Sequence, residues 1–227
     1  MKLVKQSVEL VDSAGGDLSV VNSARVSFAR EVEELDLKDE KLIRYLAKHR
    51  HDTPFRHNFI QLKCKVPLFL ARQLMKHQAG LTWNEESRRY IDSEPEFYDV
   101  TEWRTRPDKS IKQGSGGSIV KDITMLNHME VPVTATANSA YEELVKHSLE
   151  AYRGMVESNV APEMARMVLP QSMMVNFIWS GNLLAFFHVY GLRSGEGSQV
   201  EAKEFAELLK EQIQPAFPVS WQALEER

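Results

Sequence analysis

Residues 58–78 read N-F-I-Q-L-K-C-K-V-P-L-F-L-A-R-Q-L-M-K-H-Q, and they change period part-way along. Ile60, Leu62, Cys64 and Val66 alternate with Gln61, Lys63 and Lys65, the two-residue repeat of a strand with one face buried. The strand over 58–66 feeds through Pro67 into a helix predicted over about 68–78. Cys64 falls on the inner face of that strand. It reads as an inert core thiol, since free cysteine is among the most buried residue types.

The rest of the chain mixes the same two periods. Residues 2–11 alternate weakly as a strand, and Asp17 precedes a helical pattern through Leu18, Val21, Ala24, Arg25 and Phe28. A second helix is predicted over 38–49, with Leu42, Ile43, Leu46 and Ala47 on one side and Lys41, Arg44 and Lys48 on the other. H-R-H-D-T-P-F-R-H at 49–57 reads as a loop, because Pro54 biases Thr53 away from helix. Residues 91–131 are irregular, with Pro95, Pro107 and the run Q-G-S-G-G-S at 113–118. That run lacks the Lys-Ser/Thr ending of a phosphate-binding P-loop and reads as a flexible surface loop.

The clearest helix covers 134–157, where Ala137, Tyr141, Leu144, Val145, Leu149, Tyr152 and Val156 form a stripe for the core or a subunit interface. Residues 173–179 read as a buried strand, with Phe177 and Trp179 in the core, followed by a helix from about Asn182 to Tyr190. Gly191 is expected to end that helix, which puts Arg193 in a Gly-rich bend, L-R-S-G-E-G-S. The last helix is expected to open at Ser198, with Glu201 at capping-box spacing, and to run through Phe205, Leu208, Leu209 and Ile213. No internal repeat is found. The fold class is α+β, expected as a single domain over 1–227 with a variable irregular segment at about 100–125.

Composition excludes several functions. The 227 residues are 43% hydrophobic and 26% charged, with a net charge of -4, as for an ordinary globular protein with a full core. A net negative chain has no general attraction to nucleic acid or to an anionic membrane, so any positive potential must be local. No run of about 18 apolar residues suggests a membrane span. With a polar amino-terminal stretch and one cysteine, the chain is expected in the cytoplasm, without internal disulfide or Cys-rich metal site.

Chemistry concentrates between Ala71 and Tyr90, A-R-Q-L-M-K-H-Q-A-G-L-T-W-N-E-E-S-R-R-Y. Cations, amides, one imidazole and a hydroxyl crowd a helix-to-loop junction around Ala79-Gly80, as an anionic, hydrogen-bonding ligand such as a nucleotide requires. Taken alone, N-E-E-S-R-R reads as a solvated charged face, because most Glu and Arg residues are simply exposed. Arg89, Arg166 and Arg193 fall near predicted element ends, where guanidinium forks can point into a shared cleft. His49, His51 and His57 with Asp52 straddle a Pro-containing loop without ordinary ligand spacing, so no metal is expected. Ser87 with His77 lacks an oxyanion motif and is a weak signal for nucleophilic chemistry.

These residues carry a resemblance. The chain resembles the flavin-dependent thymidylate synthases, whose signature is Arg-His-Arg, seven residues, then Ser, in a pattern ending N-E-x-S-x-R-Y. Here the run is Lys76-His77-Gln78, eight residues, then Ser87, with Asn84, Glu85, Arg89 and Tyr90 kept. Other similar blocks follow in the family's order: D-L-S-V-V-N-S-A-R-V-S-F at 17–28, H-D-T-P-F-R-H at 51–57, F-L-A-R-Q at 69–73, A-R-M-V-L-P at 165–170, W-S-G-N at 179–182 and L-R at 192–193. The resemblance runs from about 8 to 215 and leaves 100–125 unmatched.

The resemblance implies an antiparallel-rich sheet flanked by helices, and reductive methylation of dUMP to dTMP. FAD would be the cofactor, with methylenetetrahydrofolate and NADPH as co-substrates and tetrahydrofolate as a product. It implies Arg193 as the catalytic arginine beside the pyrimidine, and Gln73, Lys76, Glu85, Ser87, Arg88, Arg89 and Arg166 around dUMP. Ser27, Thr53, Lys76, His77, Gln78, Glu85, Asn182 and His188 fall at flavin-side positions. Leu184 stands where the family has an arginine, His188 where it has an asparagine, and Lys76 and Gln78 replace the signature arginines. A homotetramer with shared active sites is also implied. Two other readings stay open: methyl or hydroxymethyl transfer to another pyrimidine nucleotide, and a catalytically silent nucleotide-binding relative.

Overall fold

In the computed structural model, which describes residues 1–110, 113–127 and 129–227, the alternating run forms a strand that passes directly into a helix. In chain order the elements are β1 (Leu3–Val4), β2 (Ser7–Ala14), α1 (Asp17–Arg25), α2 (Leu37–Lys48), β3 (Phe59–Pro67), α3 (Leu68–Leu74), β4 (Leu81–Glu85), β5 (Phe97–Tyr98), β6 (Asp122–Leu126), β7 (Pro132–Thr136), α4 (Ala137–Glu157), α5 (Pro162–Ala165), β8 (Met174–Gly181), α6 (Leu183–Ser194), α7 (Val200–Ile213) and α8 (Pro218–Glu225). The class is α+β, as expected. The chain divides into two compact units that interleave in sequence: Met1–Gln6, Val66–Ala71 and Glu86–Val175, and then Ser7–Lys65, Arg72–Glu85 and Asn176–Arg227. Among the described residues no helix is long and apolar enough to cross a membrane.

The second unit is built on a four-stranded sheet in the order β2-β3-β8-β4, with β2 antiparallel to β3 and β4 antiparallel to β8. Alternation decides its inner face. Val8 sits opposite Cys64 and Leu10 opposite Leu62, and Ile60, Leu62 and Cys64 are all buried. Burial pushes the Cys64 thiol up, well away from the thiolate form, so the inert-thiol reading holds. Trp179 on β8 centres an aromatic cluster, with ring centroids 5.4 Å from Trp83, 5.4 Å from Phe186 and 6.3 Å from Phe205.

Helices α7 and α8 are tied in by specific bonds. The Leu10 N–H on β2 donates to Gln212 Oε1 on α7 at 3.1 Å. The buried Asp17 carboxylate accepts from the Val219 and Ser220 N–H groups at 2.8 Å each. Those amides start α8 and have no partner inside their own helix, so a carboxylate from α1 caps them.

In the first unit, β1 pairs in parallel with β5. Helix α4 begins at Thr136, whose Oγ1 accepts from the Ser139 N–H at 3.0 Å, and buries Val145, Leu149 and Tyr152. The Tyr141 hydroxyl donates to the Tyr98 carbonyl at 2.7 Å. Leu144, from the same sequence stripe, is 59% exposed, so the stripe is only partly core.

Several boundaries differ from expectation, each for a local reason. The strand predicted over 2–11 is two strands, β1 and β2, divided at Lys5-Gln6 and paired to different partners. Helix α3 stops at Leu74 rather than near 78, because the chain must turn into β4 by Leu81. Strand β4 lies where a bend and loop were expected; Leu81 and Trp83 alternate with Thr82 and Asn84, a pattern obscured by its polar neighbours. The segment 91–131 is irregular over 99–103 and 105–110, but it also contains β5 and β6, and β6 forms an antiparallel ribbon with β7. Residues 113, 114, 117 and 118 lie in bends, while Ile111 and Lys112 lie outside the described residues.

The helix predicted to end at Gly191 continues to Ser194, so Arg193 sits in the last turn of α6 and not in a bend. Glycine inside a helix costs about 1 kcal/mol relative to alanine, too little to stop a helix whose last turn is bonded elsewhere. Helix α7 opens at Val200 with Gln199 as its cap residue, not at Ser198. The Ser198 hydroxyl instead donates back to the Leu192 carbonyl at 3.2 Å.

Candidate functional site

In the second unit, Arg193 is the best-fixed cation of the predicted set. Its Nε donates to His77 Nε2 at 3.0 Å and its Nη2 donates to the Gln73 carbonyl at 3.1 Å. Two of the guanidinium's three nitrogens are thereby committed, and the fork is set in one plane. The end of α6 supplies Arg193, while α3 and the turn after it supply Gln73 and His77. Sequence reasoning missed Gln199, whose Oε1 accepts from Gln73 Nε2 at 2.7 Å. Its only sequence signal was its place at the start of the last long helix.

His77 can accept from Arg193 only while neutral. Partial burial first, and the Arg193 charge second, hold its pKa down to about 4 from 6.5. The proton of the neutral ring is then on Nδ1. Because the folded value lies below the unfolded one, stability from this contact is fully present above about pH 6.5 and is lost as pH falls toward 4. A proton NMR titration of the His77 ring in the folded protein is expected to show a midpoint near 4. A midpoint near 6.5 would mean that neither the burial of the ring nor the Arg193 contact persists in solution.

The bend between α3 and β4 carries the departures from the family signature. The His77 N–H donates to the Leu74 carbonyl at 3.0 Å and the Leu81 N–H to the Gln78 carbonyl at 3.2 Å. Gly80 has φ +75°, a left-handed conformation that glycine adopts without strain, and a Cβ there would lie 3.0 Å from Asn182 Nδ2. The bend thus seats against the start of α6. Lys76 and Gln78 are exposed, with their side chains toward solvent.

Asn182 has a double position. Its Oδ1 caps α6 by accepting from the Ala185 N–H at 3.0 Å, and its Nδ2 faces the Gly80 bend. Glu85, at the end of β4, accepts from Trp83 Nε1 at 3.3 Å. Ser27 and Thr53 lie in short 3-10 turns and are exposed. Beside Ser27 opens a cleft of about 540 Å³ lined by Asn22, Ser23, Val26, Ala29, Arg30, Glu31 and His57. His49 and His51 pack instead around Tyr45, with ring centroids 4.3 and 6.0 Å away.

His188 lies on α6, 3.4 Å from Arg227 Nη2, and Arg227 Nη1 donates to Asp52 Oδ1 at 2.7 Å. Its pKa is lowered by burial and then by the Arg227 charge. Leu184, one helical turn before it, is 1% exposed and belongs to the core. An arginine could not occupy that position without leaving its charge buried.

The remaining predicted residues lie in the first unit. Ser87 Oγ accepts from the Arg89 N–H at 3.3 Å, and the Tyr90 N–H closes the turn onto the Ser87 carbonyl at 3.0 Å. Arg89 and Arg166 converge on Glu163: Arg89 Nε is 3.6 Å from its carboxylate and Arg166 Nε donates to its carbonyl at 3.2 Å. Both guanidiniums are exposed and can exchange these weak contacts for an anion. Arg88 differs, being 9% exposed and donating to the Ser93 carbonyl. Its main visible work is to hold its own loop.

The second unit thus holds a polar cluster around one half-buried arginine bonded on two sides, and the first unit holds an exposed arginine pair; guanidiniums of both kinds suit an anionic ligand. Residues 9–219 match the family described as thymidylate synthase complementing protein, and the chain belongs to that family. It is similar to the flavin-dependent thymidylate synthase of Thermus thermophilus, with 33% identity over 224 residues covering 99% of this chain and 77% of that one. It is likewise similar to the flavin-dependent thymidylate synthase of Kosmotoga olearia, 33% identical over 221 residues, covering 97% and 90%. Among solved structures it resembles the UMP/dUMP methylase PolB from Streptomyces cacaoi bound with 5-Br dUMP, at 29% identity and a TM-score of 0.79, covering 100% of this chain and 97% of that one. The same methylase bound with 5-Br UMP gives 27% identity and a TM-score of 0.78.

Proposed function

We propose that this chain is an FAD-dependent thymidylate synthase, converting dUMP to dTMP with methylenetetrahydrofolate as one-carbon donor and NADPH as reductant. The observation that carries the reading is Arg193, fixed by neutral His77 and the Gln73 carbonyl in a chain that matches the family over 9–219. A guanidinium held still where negative charge develops stabilises that charge without having to reorganise, which is how preorganised sites gain most of their rate. Arg193 acts on the uracil as it becomes anionic and so raises nucleophilicity at C5. The methylene carbon bonds to C5 as its bond to the folate nitrogen breaks, the C5 proton leaves, and a hydride derived from NADPH completes the methyl group, giving dTMP, tetrahydrofolate and NADP.

The donor set fits a flavin. Asn182 Nδ2, the Ser27 and Thr53 hydroxyls and the Lys76 ammonium offer hydrogen bonds and one positive charge, and neutral His77 adds a ring proton. With Gln78, Glu85 and His188 they are the residues assigned to hold FAD. When bound, FAD would relay hydride and the one-carbon unit between folate and pyrimidine. Gln73, Lys76, Glu85, Ser87, Arg88, Arg89 and Arg166 are assigned to dUMP by their match to the family's positions.

The chain is proposed to work as one functional domain, as a cytoplasmic homotetramer with shared active sites. Exposed Leu144, Met164 and Met167 support burial between subunits. A monomer by light scattering would contradict it. For the chemistry, the purified protein is expected to be yellow, to bleach with NADPH when dUMP is present, and to form dTMP once methylenetetrahydrofolate is added. Failure to take up FAD at any concentration would sink the proposal.

A second reading is favoured by the likeness to a UMP/dUMP methylase. The same site would then accept the ribonucleotide. Turnover of UMP compared with dUMP and dCMP decides it.

A further inference from the structure

We infer that Gln199 is a positioning residue that turns the Gln73 amide so that its carbonyl oxygen, and not its NH2, faces the nucleotide. The inference rests on Gln73 contacting dUMP. It assigns a role to a residue outside the signature.

Gln73 is half-buried on α3, and its two polar parts serve different partners. Its main-chain carbonyl accepts from Arg193 Nη2 at 3.1 Å, while its side-chain Nε2 donates to Gln199 Oε1 at 2.7 Å. A primary amide has donors on one edge and an acceptor on the other, so committing Nε2 to Gln199 turns Oε1 the opposite way. Gln73 then presents an acceptor to its ligand. A phosphate oxygen cannot pair with it; an N–H of the base or an O–H of the pentose can.

Gln199 is itself well held. Its carbonyl accepts from the Ala202 and Lys203 N–H groups at 2.9 and 3.0 Å, opening α7. The bend before it is fixed by the Ser198 N–H to the Gly195 carbonyl at 3.2 Å, with Gly197 at φ +83°. Its side chain makes no cap bond to its own helix. It is available to Gln73. The start of α7 and the end of α6 thus grip one residue, Gln73, by its side chain and its backbone.

The test compares Gln199→Met, nearly isosteric but without the acceptor, with Gln199→Glu, which keeps an acceptor for Nε2. Equilibrium dialysis of the FAD-loaded protein measures dUMP binding, and kcat is read at saturating dUMP. Gln199→Met is expected to raise the dUMP Kd about tenfold with little change in kcat, and Gln199→Glu to bind within about threefold of the parent protein. N3-methyl-dUMP and 2′,3′-dideoxy-UMP separate the two sources of the donor. Whichever analogue binds poorly to the parent should lose that penalty in Gln199→Met.

The inference is overturned if Gln199→Glu is as weak as Gln199→Met, or if Gln199→Met binds normally while Gln73→Met does not. If Gln73→Met binds dUMP normally, the assignment of Gln73 to dUMP falls first, and the inference with it.

Discussion

Replacing Arg193 by alanine is expected to lower kcat/KM for dUMP methylation by a factor on the order of 10² to 10³ while FAD stays bound. The magnitude follows from what the guanidinium does. It is held by Nε to His77 at 3.0 Å and Nη2 to Gln73 at 3.1 Å, and partial burial lowers its pKa, which leaves it charged all the same. Alanine removes both the charge and the tie between α6 and the α3 bend. Lysine restores a charge, but one mobile ammonium cannot replace a planar fork engaged on two sides, so Arg193→Lys should recover only part of the rate.

A second readout belongs to the same substitution. Because burial is the larger cause of the low His77 pKa and Arg193 the smaller, His77 in Arg193→Ala should titrate above about 4 but still below 6.5. Stopped-flow or steady-state rates with FAD content measured on each variant make the comparison. A variant with full activity would remove Arg193 from the chemistry.

The fold was legible where one period dominated. The run from Ile60 to Val66 announced β3, and the apolar stretch before Trp179 announced β8. Strand β4 was not legible, because Leu81 and Trp83 alternate with only Thr82 and Asn84 inside a cluster of charge. The β6-β7 ribbon was missed for a different reason. Its side chains are mostly exposed, so no buried face imposes a pattern, and hairpin pairing alone sets its register.

For the site, residue types suggested an anionic ligand but could not say which cations were fixed. Arg193 was expected in a bend and is helical, and that difference is what lets it reach back to His77 and Gln73. Arg88 reads in sequence like its neighbour Arg89, yet one is buried on its own loop and the other is exposed. Which member of an Arg-Arg pair turns inward depends on local turn geometry, which sequence period does not encode. Gln199 was invisible because a single amide carries no pattern at all.

The departures from the signature also acquire a physical reading. Lys76 and Gln78 flank a bend whose shape is set by main-chain bonds at Leu74 and Gln78 and by the left-handed Gly80. Neither side chain is needed to hold that bend. The substitutions therefore change the charge carried at the exposed surface of the bend and leave the Arg193 scaffold in place.

That scaffold depends on the aromatic core beneath it, and Trp179→Ala is expected to destabilise the protein by about 3–5 kcal/mol. Trp179 is fully buried on β8, between Trp83 on β4, Phe186 on α6 and Phe205 on α7. Those are the elements that lead to Glu85, Arg193 and Gln199. Since total stabilities of 5–15 kcal/mol are usual, the loss is a large fraction of the whole.

Trp179→Phe should cost much less than Trp179→Ala, for two reasons that act together. Phenylalanine fills most of the space, and the indole Nε1–H, buried without a hydrogen-bond partner, disappears. An unpaired buried donor costs about 1–3 kcal/mol, so removing it offsets part of the lost packing. Urea unfolding of both variants measures the difference, with equal m-values required for the comparison. If Trp179→Phe is as damaging as Trp179→Ala, Nε1 has a partner in solution, and the indole serves as a polar anchor of the site as well as its core.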